Sequence, residues 1–121
     1  MSQLATTVRT DPRAALMSEV ELERNVGRIA ADLQVWRHHN PDSRKVTAGL
    51  PDDLLAGPGG VIWRELKRET EKPSPAQIAL MAFLRAAGHD VDVWRPSDLL
   101  SGRIAREILA LSRARAAEVG A

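Results

Sequence analysis

Two acids and a lysine sit at a spacing suited to metal-dependent phosphodiester chemistry: Asp52, behind Pro51, and then Glu65-Leu66-Lys67. Between them Ala56-Gly57-Pro58-Gly59-Gly60 is a turn by composition, since Gly tolerates positive φ and Pro presets a bend. The runs 52–56 and 61–67 on either side then read as the arms of a β-hairpin. Centred between Pro58 and Gly59, this hairpin sets Asp52 directly opposite Glu65, and such cross-strand neighbours have Cβ atoms roughly 5 Å apart. Alternation along the strand puts Glu65 and Lys67 on one face and Leu66 on the other. A slip of one residue would send Glu65 to the wrong face, so the chemistry depends on register.

Two close carboxylates repel and leave negative charge that a divalent cation resolves. Mg²⁺, or Mn²⁺ in its place, is commonly held by one or two carboxylates, with waters and substrate phosphate oxygens completing its shell. A lysine alongside can orient or help deprotonate the attacking water, or offset phosphate charge, while the metal polarises the phosphorus centre. The bland alternative is a surface hairpin with an ordinary Glu–Lys pair; Pro-Asp at the matching register favours the site.

The elements that must position this cluster fit one domain with one modest core, as 121 residues allow. Ser18 and Glu21 form a capping box, followed by apolar residues at helical spacing (Leu22, Val26, Ile29, Leu33), which predicts a helix over 19–34. Residues 35–38 read as a short strand and 40–48 as a polar loop. After the hairpin, Pro75 opens a second helix that Gly88 closes, 90–94 alternates as a half-buried strand, and 95–98 turns. Ser101 is expected to cap a last helix carrying Ile104, Ile108, Leu109 and Leu111 inward. The order α-β-ββ-α-β-α predicts an α/β fold, a small mixed four-stranded sheet with helices on both faces. Residues 1–16 are expected to be a loose arm, 17–115 the domain and 116–121 a frayed tail.

Composition excludes several chemistries. The chain has no cysteine, hence no disulfide, thiolate metal site or cysteine nucleophile. No apolar run is long enough to span a bilayer and the N-terminus lacks a signal-peptide core, which leads to an expected cytoplasmic location. A formal net charge of +1 provides no general basic coat, so nucleic-acid contacts would have to be local. No Walker-type phosphate loop is present, which argues against a phosphoesterase acting on small nucleotides.

The ordered set Ala48-Gly49-Leu50-Pro51-Asp52, Arg64-Glu65-Leu66-Lys67, Pro73-Ser74-Pro75-Ala76-Gln77, Ala87-Gly88 and Val93-Trp94-Arg95-Pro96-Ser97-Asp98-Leu99 resembles the restriction-endonuclease-like, or PD-(D/E)xK, nuclease superfamily. Within it the chain is similar to stand-alone VRR-NUC nucleases of phages and bacteria, over about residues 18–109. The resemblance implies metal ligands at Asp52 and Glu65, a further contact from the Leu66 carbonyl, a catalytic Lys67, and Gln77 close to the site. It also implies an acid on the first helix. Glu23 is the choice, one turn nearer the body than its rival Glu19, and its spacing to Val26, Ile29 and Trp36 resembles that in archaeal Holliday-junction resolvases. Asp53 departs from the family pattern and is either a spare ligand or a perturbation. Arg64, on the face of Ile62 and Leu66, must reach solvent or find a partner.

Arg44, Lys45, Arg68 and Lys72 are candidate DNA-backbone contacts, against the reading of solvated loop charges. His38 is a candidate phosphate or water contact, whereas His39 reads as a polar strand end and His89 as a turn residue. The basic side formed by Arg103, Arg106, Arg113 and Arg115 reads as solvated. Trp36, Trp63 and Trp94 read as core, with Trp63 alternatively walling the site. The expected function is a Mg²⁺- or Mn²⁺-dependent DNA endonuclease of a bacterial or phage-infected cell. Lacking an appended recognition module, it would read branched structures such as flaps or Holliday junctions, as a homodimer. The alternative is an inactive module of the same fold that binds DNA structures or a protein partner.

Overall fold

The structure, a computed structural model, describes residues 11–40 and 47–114. The chain runs α1 (Pro12–Leu16), α2 (Glu19–Asp32), β1 (Trp36–His39), β2 (Asp53–Gly57), β3 (Gly60–Leu66), α3 (Pro75–Ala86), β4 (Asp90–Trp94), α4 (Pro96–Leu100) and α5 (Arg103–Leu111). The result is the expected mixed α/β fold, a four-stranded sheet of order β1-β2-β3-β4. β1, β2 and β3 are antiparallel and β4 runs parallel to β3, with α3 as the crossover.

The hairpin takes the register expected from the Pro58–Gly59 centre: Gly57 pairs Gly60, Leu55 pairs Ile62 and Asp53 pairs Arg64. Side chains therefore sort onto two faces. Arg37, His39, Asp53, Leu55, Ile62, Arg64, Leu66 and Trp94 point to one side, where α2 and α5 cover the sheet. Leu22, Val26, Leu55, Leu66, Trp94, Ile104 and Ile108 have no exposed surface there and form the heart of the core. Trp36, His38, Leu54, Trp63, Glu65, Val91 and Val93 point to the other side, where α3 packs on β4.

Helix starts follow local chemistry. Ser18 and Glu21 make the expected capping box, with Glu21 N–H donating to Ser18 Oγ at 3.1 Å. Three expectations need correcting. Part of the expected loose arm is the short helix α1, because Asp11 caps it by accepting from Arg13 N–H at 2.9 Å and Pro12 has its φ preset for the first turn. Residues 96–100 form α4 rather than a simple turn, started by Pro96 and by Asp98 accepting from Arg95 N–H at 2.8 Å. Gly102, at φ 86°, rather than Ser101, is the cap of α5. A fourth correction concerns Trp36: its indole is 56% exposed and belongs to no core.

Candidate active site

Gly49, at φ 85°, lets the chain pass against the first turn of α3 so closely that a Cβ there would run into the Ala76 carbonyl. That approach sets Asp52 beside the end of β3 and brings α3 over Glu65. Asp52 accepts a hydrogen bond from Leu66 N–H at 3.0 Å, which ties the two arms of the motif together. Glu65 is 1% exposed. Its Oε2 accepts from Gln77 Nε2 at 2.7 Å and lies 3.5 Å from Lys67 Nζ. Its Oε1 is buried without a hydrogen-bond partner, the one such side-chain atom among the described residues.

The electrostatics follow from this arrangement. Burial first, and the neighbouring Asp52 carboxylate second, push the Glu65 carboxyl up to about 8 against the pull of Lys67. Burial also raises Asp52, with the Leu66 N–H opposing it. At neutral pH Glu65 therefore keeps its proton beside Asp52, although Lys67 Nζ stands only 3.5 Å away.

Gln77 owes its orientation to the helix start. Its Oε1 accepts from Ser74 N–H at 2.7 Å while Ser74 Oγ accepts from Gln77 N–H at 3.2 Å, so its amide NH₂ is left pointing at Glu65. The Ser74-Pro75-Ala76-Gln77 pattern is itself a capping-box signal and could have revealed this double role.

The structure separates the two acids considered on α2. Glu23 pairs with Arg37 Nη1 at 3.2 Å and lies 4.0 Å from His39 Nε2, within the network around Asp53. Glu19 is the one that feels Asp52: burial raises its carboxyl, followed by repulsion from Asp52 and Glu71, with Lys67 acting in the opposite sense. Asp53 points to the α2–α5 side of the sheet, though its charge contributes to raising the Asp52 carboxyl. Fully buried, Asp53 accepts from Arg37 Nε at 3.1 Å, Arg37 Nη2 at 3.2 Å and His39 Nδ1 at 2.6 Å. The hydrogen bond to Asp53 raises the imidazole of His39, which is thus a buried-network partner and not only a polar strand end. Gly27 makes room for this network, because a Cβ there would press on Arg37 Nη1.

Of the candidate DNA contacts, Arg44 and Lys45 lie outside the described residues, as does Arg115. Arg68 and Lys72 are exposed in a loop beyond Lys67, which Arg95 clamps through the carbonyls of Arg68 at 2.7 Å and Glu71 at 2.6 Å. His38 is exposed, with Nε2 3.0 Å from Asn40 Oδ1. Arg64 finds partners rather than solvent: Glu107 at 2.9 Å, Asp90 at 2.8 Å and the Trp94 ring beneath its guanidinium. Arg103 likewise is no free surface charge but binds Asp92, Asp98 and Glu107. A cavity of about 390 Å³ opens beside these last residues, on the face away from Glu65, and its charges are paired among themselves.

Over 87 residues the chain is 40% identical to the "Putative nuclease p44" of Acyrthosiphon pisum secondary endosymbiont phage 1, a match spanning 71% of this chain and 81% of that protein. The chain belongs to the p44 family. No family model and no solved structure matches it. Among the described residues of this p44-family chain, no helix is long and apolar enough to cross a membrane.

Proposed function

We propose that this p44-family protein is a divalent-metal-dependent DNA nuclease of the PD-(D/E)xK type. The observation that carries the reading is Glu65, a buried acid whose Oε1 has no donor to accept from and which keeps its proton beside Asp52 despite the nearby Lys67. Such a pair fits a cation. Among the described residues no three carboxylate or imidazole groups converge into a closed ligand set, and a donor set of Asp52, Glu65 and the Leu66 carbonyl suits an ion such as Mg²⁺ that keeps several waters. Glu19 is the acid of α2 best placed to hold one of those waters. When bound, the ion would polarise the phosphodiester and stabilise charge on the leaving oxygen.

The chain's own residues supply the rest. Gln77 and the Leu66 N–H fix the carboxylates, so they need not reorganise when substrate arrives. Lys67 Nζ, held by Glu65 Oε2, presents its remaining hydrogens toward the attacking water and the phosphate. The water would lose a proton to solvent as it adds to phosphorus, the bond to the leaving oxygen would break, and that oxygen would take up a proton from solvent. The inactive-module alternative draws on Asp53 and on the near-neutral net charge; the engagement of Asp53 with Arg37 and His39 favours the active reading over it.

The preferred substrate is branched DNA, and two copies acting together would cut both strands of a symmetric junction. The outward face of α3 offers a surface for such a dimer: Ile78 and Phe83, 55% and 73% exposed, flank the exposed Ala79, Ala82 and Ala86. The test incubates end-labelled linear duplex, flap and four-way-junction DNA with Mg²⁺, Mn²⁺ or EDTA, using wild type and Lys67→Ala. Metal-dependent cutting lost in the variant is expected; equal cutting by the variant, or cutting in EDTA, would exclude the mechanism.

A further inference from the structure

Among the described residues, no helix packs against half of the sheet face that carries the site. α3 packs on β4, while on β1 and β2 the same face holds Trp36 opposite Ala56 and His38 opposite Leu54, in line with Asp52 and Glu65. Trp36 is 56% exposed and its ring stacks on that of His38, centroids 6.4 Å apart and planes inclined by 15°. The pair is braced toward the site: His38 Nε2 meets Asn40 Oδ1 at 3.0 Å, and Asn40 N–H donates to the Asp52 carbonyl at 2.8 Å. A flat, fixed aromatic surface therefore continues from the end of the strand that carries the candidate metal ligand.

We propose that Trp36, braced by His38, is a stacking platform for an unpaired nucleobase of the DNA substrate. The inference rests on the nuclease reading of the same site and gives its substrate class a physical cause. From Ala56, opposite Trp36, to Asp52 is four residues of strand, roughly 13 Å at about 3.3 Å per residue, so the stacked base lies a few nucleotides from the cut. Bases within an intact duplex already stack on one another and offer a flat protein surface only their edges and backbone. An indole on an open sheet can engage a base only where one has left the helix, at a flap, fork, junction or end. Because every base has a π-face, the platform selects for structure and is indifferent to sequence. A second copy of the chain is better matched to the larger apolar face of α3, which lies on a separate element.

The test measures binding in the Lys67→Ala background, with a flap carrying an unpaired arm and a fully paired duplex of equal length. Trp36→Ala is expected to weaken flap binding about tenfold and duplex binding less than twofold, with Trp36→Phe restoring most of the loss. Flap binding should quench tryptophan emission in the parent and not in Trp36→Phe. Undiminished flap binding by Trp36→Ala, or equal losses on flap and duplex, would overturn the platform. So would a change in oligomeric state in that variant, which would assign the indole to a protein interface. Failure of the nuclease reading shows separately, as wild type that cuts neither DNA in Mg²⁺ or Mn²⁺ while this binding pattern persists.

Discussion

Asp52 and Asp53 are neighbours in sequence and opposites in environment. Asp53, on the α2–α5 side, is buried with both oxygens engaged by Arg37 and His39. On the same side Arg64 is 3% exposed and matched by Glu107 and Asp90. Across the sheet, Asp52 and Glu65 share one lysine, one glutamine amide and one backbone N–H. A buried charge with all its partners present serves the fold. A buried acid short of partners keeps its proton in the free protein, and its burial is explained when something outside the chain replaces that proton.

The largest effect should come from breaking the under-compensated side. Asp52→Asn and Lys67→Ala are each expected to lower the cleavage rate by roughly 10²–10⁴-fold with circular dichroism unchanged. Asp53→Asn should do the reverse, destabilising the protein by about 3 kcal/mol in urea unfolding, because Arg37 and His39 lose the carboxylate they enclose, while cleavage persists below the melting point.

Glu65→Gln sharpens the contrast through pH. With its carboxyl at about 8 in the fold and an ordinary value of 4.5, the folded state holds a proton that the unfolded chain releases. Its contribution is complete below the ordinary value and disappears as pH rises through that window. The melting temperature of metal-free wild type should therefore fall from pH 5 toward pH 8. Glu65→Gln should flatten that slope and be the more stable protein at pH 8. The smallest effect belongs to Ser74→Ala, expected to cost about 1 kcal/mol as a lost helix cap and to loosen Gln77, visible as a modest drop in cleavage.

Much of this contrast was legible in the residues. The hairpin register followed from turn composition and alternation, and with it the opposition of Asp52 to Glu65, since a two-residue period leaves few choices once the centre is placed. Tertiary partners were not legible. Glu19 and Glu23 flank the same apolar stripe, and what separates them is Arg37, which arrives from β1. Trp36 is apolar enough for a core, yet it lies on an edge strand whose face no helix covers among the described residues. Arg95-Pro96-Ser97-Asp98 has the composition of a turn and the capping of a short helix, and local pattern does not separate the two.

The central claim is that the Asp52–Glu65 pair awaits a cation, and calorimetric titration of Mn²⁺ into the protein at pH 7 tests it most directly. Binding by wild type and Asp53→Asn, with release of a proton from Glu65, and no binding by Glu65→Gln or Asp52→Asn, is the expected result. Equal binding by Glu65→Gln, or none by wild type, would contradict it.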